Sequence, residues 1–324
     1  MVIAYGSKIF LTISNVCLQY IGSGVIFAAF MANKKINIIY GLWLVCSVVW
    51  LSTFLVGLVD SPHFVSTVEG SELKACFLDV GQGDAIVFRD GNGSTVLVDG
   101  GPDLTVLSAL SVCVPWYERH IDMMVLTHPD TDHLFGLIEV LKRFQVDRVL
   151  VTGVNDDMPA YGYFNALVVQ EGAQVIASQY NMQIEFSGMT LKVIYPESNL
   201  SGRTVSNRND ASIVVMVQSG EVKFLLTGDL PLAGEEILMR SLVDLQADVL
   251  KAGHHGSKTS SGIQFLQAVD PDYVVISAGK DNPYGHPHYR VVRAVDRVGA
   301  ELLRTDMMGT IVFKTDGMSV WTEE

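Results

Sequence analysis

Four short apolar runs in this chain stop abruptly at a polar side chain beside glycine or at histidine. Val96–Val98 runs into Asp99-Gly100-Gly101, and Met123–Thr127 into His128-Pro129-Asp130-Thr131-Asp132-His133. Phe224–Thr227 runs into Gly228-Asp229, and Val249–Lys251 into His254-His255-Gly256-Ser257. Runs of this kind read as strands, and α/β sheets place their ligands just beyond strand ends. The chain is therefore expected to gather these polar groups at one edge of its sheets.

The remaining pattern agrees with an α/β domain. Leu73–Asp79, Ala85–Arg89 and Ser94–Val98 are expected strands, the last two joined by hairpin chemistry at Asp90-Gly91-Asn92-Gly93. A helix is expected near 104–111, then a strand Met123–Thr127, a helix 134–143 and a strand 146–151. Strands at 211–217 and 222–227 meet through Ser219-Gly220. A helix at 232–242, a strand at 248–252, a helix at 261–268, a strand at 273–277 and short strands after 300 complete the pattern.

The amino-terminal segment has a different composition. With 49% hydrophobic residues and a mean hydropathy of +0.31, the chain must hold a large core, a membrane segment or both. Residues 9–31 and 36–59 are uncharged runs of 23 and 24 residues, each long enough to cross a bilayer as a helix. Two long runs joined at Lys34-Lys35 do not fit a cleaved signal peptide. Two transmembrane helices are expected within 1–60. The first run carries Ser14, Asn15 and Gln19, so a single span is the alternative. Residues 61–72 read as a linker and 73–324 as the folded domain. Lys34-Lys35 directs the short loop to the cytoplasm and the domain outward, at a multi-pass cell membrane. Four cysteines without CxxC spacing suggest neither a disulfide framework nor a thiolate zinc site.

Residues 128–133 carry four metal-capable side chains. Crowded on one loop they would repel or go unsatisfied unless a cation sat among them, and imidazole with carboxylate suits zinc, manganese or iron. The bland alternative is a solvated turn. Asp99 could likewise cap a turn, and Asp229 could cap a helix beginning near Leu230.

Together these strand ends resemble the metallo-β-lactamase superfamily of hydrolases, over roughly residues 71–324. The resemblance implies a four-layer αββα sandwich holding one or two divalent metal ions. Phe77-Leu78-Asp79-Val80-Gly81-Gln82-Gly83-Asp84-Ala85, Thr227-Gly228-Asp229, His254-His255-Gly256-Ser257 and Tyr284-Gly285-His286-Pro287-His288 resemble, within that superfamily, the carboxy-terminal domain of ComEC-type DNA-internalisation proteins. The family pattern implies one metal position at His128 and Asp130 and another at Asp132, His133 and His255, with Asp229 between them. His255 is preferred to His254 by its spacing from Ser257. Asp99 would orient the 128–133 segment. Asp132 would orient the attacking water, while His254, His286 and His288 would bind phosphate oxygens or protonate the leaving oxygen. Asp79, Gln82, Asp84, Asn209, Asp210, Ser257 and Lys258 would support the ligands or meet substrate.

Two departures from the superfamily pattern matter. Asp130 stands where a second histidine is usual, and Asn209-Asp210 where an intermediate histidine is expected. The first position thereby becomes oxygen-rich, which favours manganese or magnesium relative to zinc.

The resemblance implies a membrane-anchored phosphodiesterase or nuclease in competence-type DNA uptake, acting on single-stranded DNA; two spans are too few for the family's channel, so the chain is either a truncated relative or a stand-alone anchored hydrolase working with a separate membrane channel. Two alternatives are hydrolysis of another extracytoplasmic ester, such as a phosphorylcholine-type ester or a lactone, and a non-catalytic DNA-guiding module. From Asp60 onward 19 basic residues face 35 acidic ones. That balance opposes extended non-specific binding to duplex. Arg203, Arg208, Lys251, Lys258 and Lys280 fall in loops near the expected ligands and could offset it locally.

Overall fold

A computed structural model describes residues 72–323 of the chain. The expected spans at 9–31 and 36–59 lie outside the described residues, as does nearly all of the 61–72 linker. Among the described residues no helix is long and apolar enough to cross a membrane.

The chain builds two sheets. The first contains β1 (Leu73–Phe77), β2 (Ile86–Arg89), β3 (Thr95–Val98), β4 (His120–Val125), β5 (Gln145–Val151) and β6 (Gln174–Ala177). The second contains β7 (Gln183–Glu185), β8 (Thr190–Tyr195), β9 (Val214–Ser219), β10 (Val222–Leu226), β11 (Val249–Lys251), β12 (Tyr273–Ile276) and β13 (Glu301–Arg304). The chain then returns to the first sheet with β14 (Ile311–Thr315) and β15 (Val320–Thr322). The first sheet runs β15-β14-β1-β2-β3-β4-β5-β6 and the second β13-β12-β11-β10-β9-β8-β7.

Side-chain alternation makes this a four-layer body. Leu73, Ala75 and Phe77 of β1 point inward with Phe224 and Val249 of the second sheet. Phe77, Phe88, Phe224, Tyr273 and Phe313 meet there edge to face, with centroids 5.3–6.1 Å apart. Cys76 points the other way, into a core shared with Leu110, Leu134 and Phe164 on the covering helices. Those helices include α1 (Thr105–Ala109), α2 (Thr131–Leu141) and α3 (Pro159–Glu171). A third core lies beneath α4 (Leu232–Arg240), α5 (Ile263–Val269) and α6 (Tyr289–Val298) on the second sheet. The αββα arrangement is the one the resemblance implies.

Three expectations need correction. The helix expected at 134–143 starts at Thr131, because the chain turns helical directly after the extended Asp130. Asp132 and His133 therefore stand in a helical first turn, where the backbone fixes their spacing. Residues 159–195, left without elements above, contain α3 and three strands. Cysteine is also structural here: Cys76 of β1 is bonded to Cys113, 37 residues away. Closing a loop of that length contributes about 3–4 kcal/mol in the chain-entropy account.

Helix α2 reaches its place through a glycine contact. Gly100 N donates to His133 O at 2.8 Å, and Gly136 N to Gly101 O at 2.9 Å. A Cβ on Gly136 would stand 1.7 Å from the Gly100 carbonyl oxygen. Gly136→Ala is expected to push α2 off the end of β3, costing about 1–3 kcal/mol and separating His133 from Asp99. Urea unfolding checks the cost, and wild-type stability in this variant would show that the contact is not restrictive.

Candidate metal centre

Parallel pairing puts the chemistry on one edge. Val98 registers with Val125 across β3 and β4, and Leu226 with Lys251 across β10 and β11. Asp99, His128, Asp229 and the His254-His255 pair thus leave neighbouring strands at the same end.

Asp229 lies in the middle. Its Oδ1 is 3.3 Å from His133 Nε2, and its Oδ2 lies 3.6 Å from His254 Nε2, 3.6 Å from His255 Nε2 and 3.9 Å from His128 Nε2. Asp132 Oδ2 is 3.2 Å from His255 Nε2. Asp130 sits at the rim, 3.6 Å from His128 Nε2 and 3.4 Å from Arg208. Helix α4 begins at Leu232 after an N-cap at Pro231, so Asp229 does not cap it.

This donor set fits a divalent cation. The Nε2 atoms of His128, His133 and His255, together with Asp229 Oδ1, are buried without a hydrogen-bond partner, whereas buried polar atoms are almost always paired. Two overlapping triads, His128/His133/Asp229 and Asp132/His133/His255, have their donor atoms within 4.8 Å of one another.

The other face of each imidazole is held. His133 Nδ1 lies 2.7 Å from Asp99 Oδ2, and Thr127 donates to both Asp99 oxygens at 2.7 and 2.8 Å. His128 Nδ1 meets Thr127 Oγ1 at 3.0 Å, and His255 Nδ1 meets Ser277 O at 3.0 Å and Asp84 Oδ1 at 3.3 Å. Partners on Nδ1 leave Nε2 to face the cluster, the arrangement that orients histidine ligands.

Backbone strain collects at the same place. Asp99, His254 and His255 have φ of 58°, 50° and 53°, which costs side-chain-bearing residues about 1–3 kcal/mol each. The loop is pinned in return. His254 N donates to Gly228 O at 3.1 Å, Gly253 N to Ser261 Oγ at 3.1 Å, and Ser260 Oγ to Gly253 O at 2.6 Å. Glu235 accepts from the backbone N–H of Ser261 and, at 2.9 Å, of Gly262. Burial pushes the Glu235 carboxyl up to about 7 against those two donors.

Lys251 belongs to the centre itself. Grouped above with basic residues in loops near the ligands, it ends β11, as the apolar run Val249–Lys251 predicts, and has no solvent exposure. Its ammonium pairs with Asp84, donates to Gly228 O at 3.0 Å and lies 3.8 Å from Asp229 Oδ1. A lysine closing the otherwise apolar Val249-Leu250 strand was the signal for this. Burial raises the Asp84 carboxyl, but Lys251 and then His255 outweigh it and hold it at about 2.

Other expected site residues are placed more peripherally. Asp79 is exposed, and its carboxylate accepts from Gly81 N at 3.2 Å in a turn. Gln82 accepts from Gly279 N at 3.2 Å. Asn209 Nδ2 lies 3.3 Å from His254 Nδ1, whereas Asp210 is exposed and bonded to Asn207. Ser257 Oγ pairs with Thr259 Oγ1, and exposed Lys258 offers its carbonyl to Arg290. His286 stands beside His254, ring centroids 5.7 Å apart. His288 is the N-cap of α6, its Nδ1 accepting from Arg290 N at 3.3 Å, which turns that nitrogen to a structural task.

Electrostatics divide the histidines. Burial lowers His255, but Asp229 and Asp84 overcome it and raise the imidazole to about 9; His133 is raised well above its ordinary value against burial by Asp229 and Asp99. Burial and the neighbouring imidazoles push His286 down to about 4, and burial also lowers His254. The metal-free fold thus gains from protonated His133 and His255 fully below the unfolded value of 6.5. It loses that contribution as pH rises through about 9. Ligand imidazoles must be neutral, so metal loading at pH 7 is expected to release about two protons. Titration calorimetry in buffers of different ionisation enthalpy checks this, and proton-neutral binding would contradict it.

A polar groove of about 820 Å³ opens from Asp130 and Arg208 past Asn155, Asp156 and Asn207. Arg208 is anchored there, its Nη2 3.0 Å from Asp156.

Two face-to-face sheets with a histidine–aspartate centre at their shared edge define the fold of metal-dependent hydrolases. The chain belongs to the metallo-β-lactamase superfamily, whose sequence profile matches residues 78–280. It is 30% identical over 273 residues to ComE operon protein 3 of Bacillus subtilis, covering 78% of this chain and 34% of that protein. It is 34% identical over 270 residues to Competence protein ComA of Neisseria gonorrhoeae, covering 82% and 35%. The resemblance to ComEC-type competence proteins therefore holds, and the chain spans about a third of the length of these relatives. The fold also matches the metallo-β-lactamase fold protein YhfI of Bacillus subtilis, with a TM-score of 0.53, 15% identity and coverage of 76% of this chain and 100% of that one.

Proposed function

We propose that the chain is a membrane-anchored, metal-dependent phosphodiesterase that cleaves single-stranded DNA during competence-type uptake. The observation that carries the chemistry is the convergence of three partnerless imidazole Nε2 atoms and Asp229 Oδ1 at the edge of a polar groove. DNA as substrate draws its support from the competence relatives.

In this reading His128, Asp130, Asp132, His133, Asp229 and His255 hold one or two ions, manganese or zinc, with magnesium a further candidate. Bound there, a divalent ion would lower the pKa of water and neutralise charge on the phosphoryl group. Asp132, kept ionised against burial by His255 and His133, orients the attacking water. His254 and His286, neutral at pH 7, hydrogen-bond phosphoryl oxygens without bringing charge. Asp99 and Asp84 hold His133 and His255 in place from behind. The anchor is the pair of uncharged runs 9–31 and 36–59. The Cys76–Cys113 disulfide supports an extracytoplasmic domain, since such bonds persist in oxidising compartments.

The test incubates the full chain, stripped of metal, with labelled single-stranded and duplex DNA plus Mn, Zn or Mg, beside an Asp132→Ala/His133→Ala variant. Metal-dependent cleavage of the single strand, lost in the variant, is the expected result. Turnover of a phosphorylcholine-type ester or a lactone with DNA left intact would replace the substrate. A folded, metal-loaded chain inert towards all of them would mark a DNA-guiding module.

A further inference from the structure

The metal cluster accounts for His254 and His255, and for His286 at its edge, but not for the ring that stacks on His286. Tyr284 stacks there with its centroid 5.8 Å from that of His286 and the planes 26° apart. It is 68% exposed. His286 in turn lies 6.4 Å from His255 with the planes 33° apart. Tilted, roughly stacked rings thus link a proposed metal ligand to an exposed tyrosine.

The segment carrying this ring is fixed at both ends. The Asn282 carboxamide donates to Gly279 O at 2.9 Å and to His286 O at 2.6 Å, and it accepts from His286 N at 2.9 Å. Gly279 N donates to Gln82 Oε1 at 3.2 Å, and His288 N to Gly256 O at 2.9 Å. The backbone on either side of Tyr284 is therefore held before any ligand arrives. Its exposed sequence neighbours are Lys280, Asp281, Pro283 and Gly285, so Pro283 is the one apolar side chain beside the ring on this arch. That suits a flat heteroaromatic ring better than an acyl chain or an apolar peptide face. Nucleobases stack on such platforms whatever their identity, because every base has a π-face.

We propose that Tyr284 is a stacking platform for an unpaired nucleobase adjoining the scissile phosphodiester. The inference rests on the phosphodiesterase reading and gives a physical reason for its single-strand preference. In duplex DNA both faces of a base are covered by its neighbours, so a base can reach Tyr284 only after leaving the stack, which costs free energy. A single strand or a frayed end offers its bases directly.

The test uses the full chain, Tyr284→Phe, Tyr284→Ala and, as an exposed ring elsewhere, Trp116→Ala. Trp116 is 78% exposed and lies near Leu110 and Phe144 on the helical side of the first sheet. Fluorescence anisotropy measures binding of a labelled single-stranded oligonucleotide and of a strand with the same backbone but abasic sites. Cleavage of the first gives KM. Tyr284→Ala is expected to weaken Kd and raise KM about tenfold on the base-bearing strand, with no change on the abasic one. Tyr284→Phe and Trp116→Ala should match wild type, and metal content should be unchanged throughout. Wild-type affinity in Tyr284→Ala, an equal loss on the abasic strand, or no preference of the wild-type chain for bases would each overturn the platform. Base-dependent binding through Tyr284 without any cleavage would remove the phosphodiesterase reading and leave the platform standing.

Discussion

Asp229→Ala is expected to cut metal-dependent cleavage by at least about 100-fold and to destabilise the metal-free fold by about 3–5 kcal/mol. The two effects share a cause. Asp229 is 3% exposed and lies within 3.9 Å of His128, His133, His254 and His255. It is also 3.8 Å from Lys251. Removing its charge leaves buried His133 and His255 without the carboxylate that sustains their protonated forms, and takes the central oxygen donor from both triads' neighbourhood. Asp229→Asn keeps the volume and one oxygen, so it separates charge from shape. It should retain more stability than alanine while still losing most metal affinity. Urea unfolding and metal titration give the two readouts. An alanine variant that loads metal and turns over like wild type would show that Asp229 is not part of the centre.

The second large effect belongs to Lys251. Lys251→Met fills the same slot with an apolar chain but takes from buried Asp84 its ammonium partner, leaving only the His255 imidazole at 3.3 Å, and about 3–5 kcal/mol of stability should be lost. Replacing both partners, as Lys251→Met/Asp84→Leu, should recover most of that loss, because the charge to be compensated is gone. Activity should not recover with it, since Asp84 also holds His255 Nδ1 at 3.3 Å. A double variant no more stable than Lys251→Met would show that the pair is not energetically linked. Recovery of stability without activity would assign Lys251 to keeping Asp84 ionised and in place behind the ligands.

Much of the centre was legible because its residues interrupt apolar strands. Asp99, His128, Asp229 and His255 each follow a β-branched or aliphatic run, and polar groups at such positions have few structural uses. What stayed hidden depends on packing at long range. Nothing in a separation of 37 residues indicates that Cys76 and Cys113 meet. Their pairing follows from Cys76 facing the helices and not the opposite sheet. Helix α3 lacks a clear apolar stripe, since only Tyr161, Phe164 and Val168 are buried, and Gly162 further weakens its pattern. His288 looked like its neighbour His286 in the Tyr284–His288 motif, yet the start of α6 takes its ring for capping. The membrane reading of residues 9–59 rests on hydropathy and charge alone.

The interleaving of the two sheets has one more consequence. The hairpin β7-β8 precedes the exposed stretch at 197–204, yet β8 pairs with β9, which follows it, while β14 and β15 return from the far end of the chain, β14 pairing with β1. Cut in that stretch, the amino-terminal fragment would carry Asp99, His128 and His133, and the carboxy-terminal one Asp229, Lys251 and His255. Each fragment would also lack strands needed to complete its principal sheet. The two pieces are suited to complementation: separately silent, they would regain metal binding only by reassembling the whole sandwich.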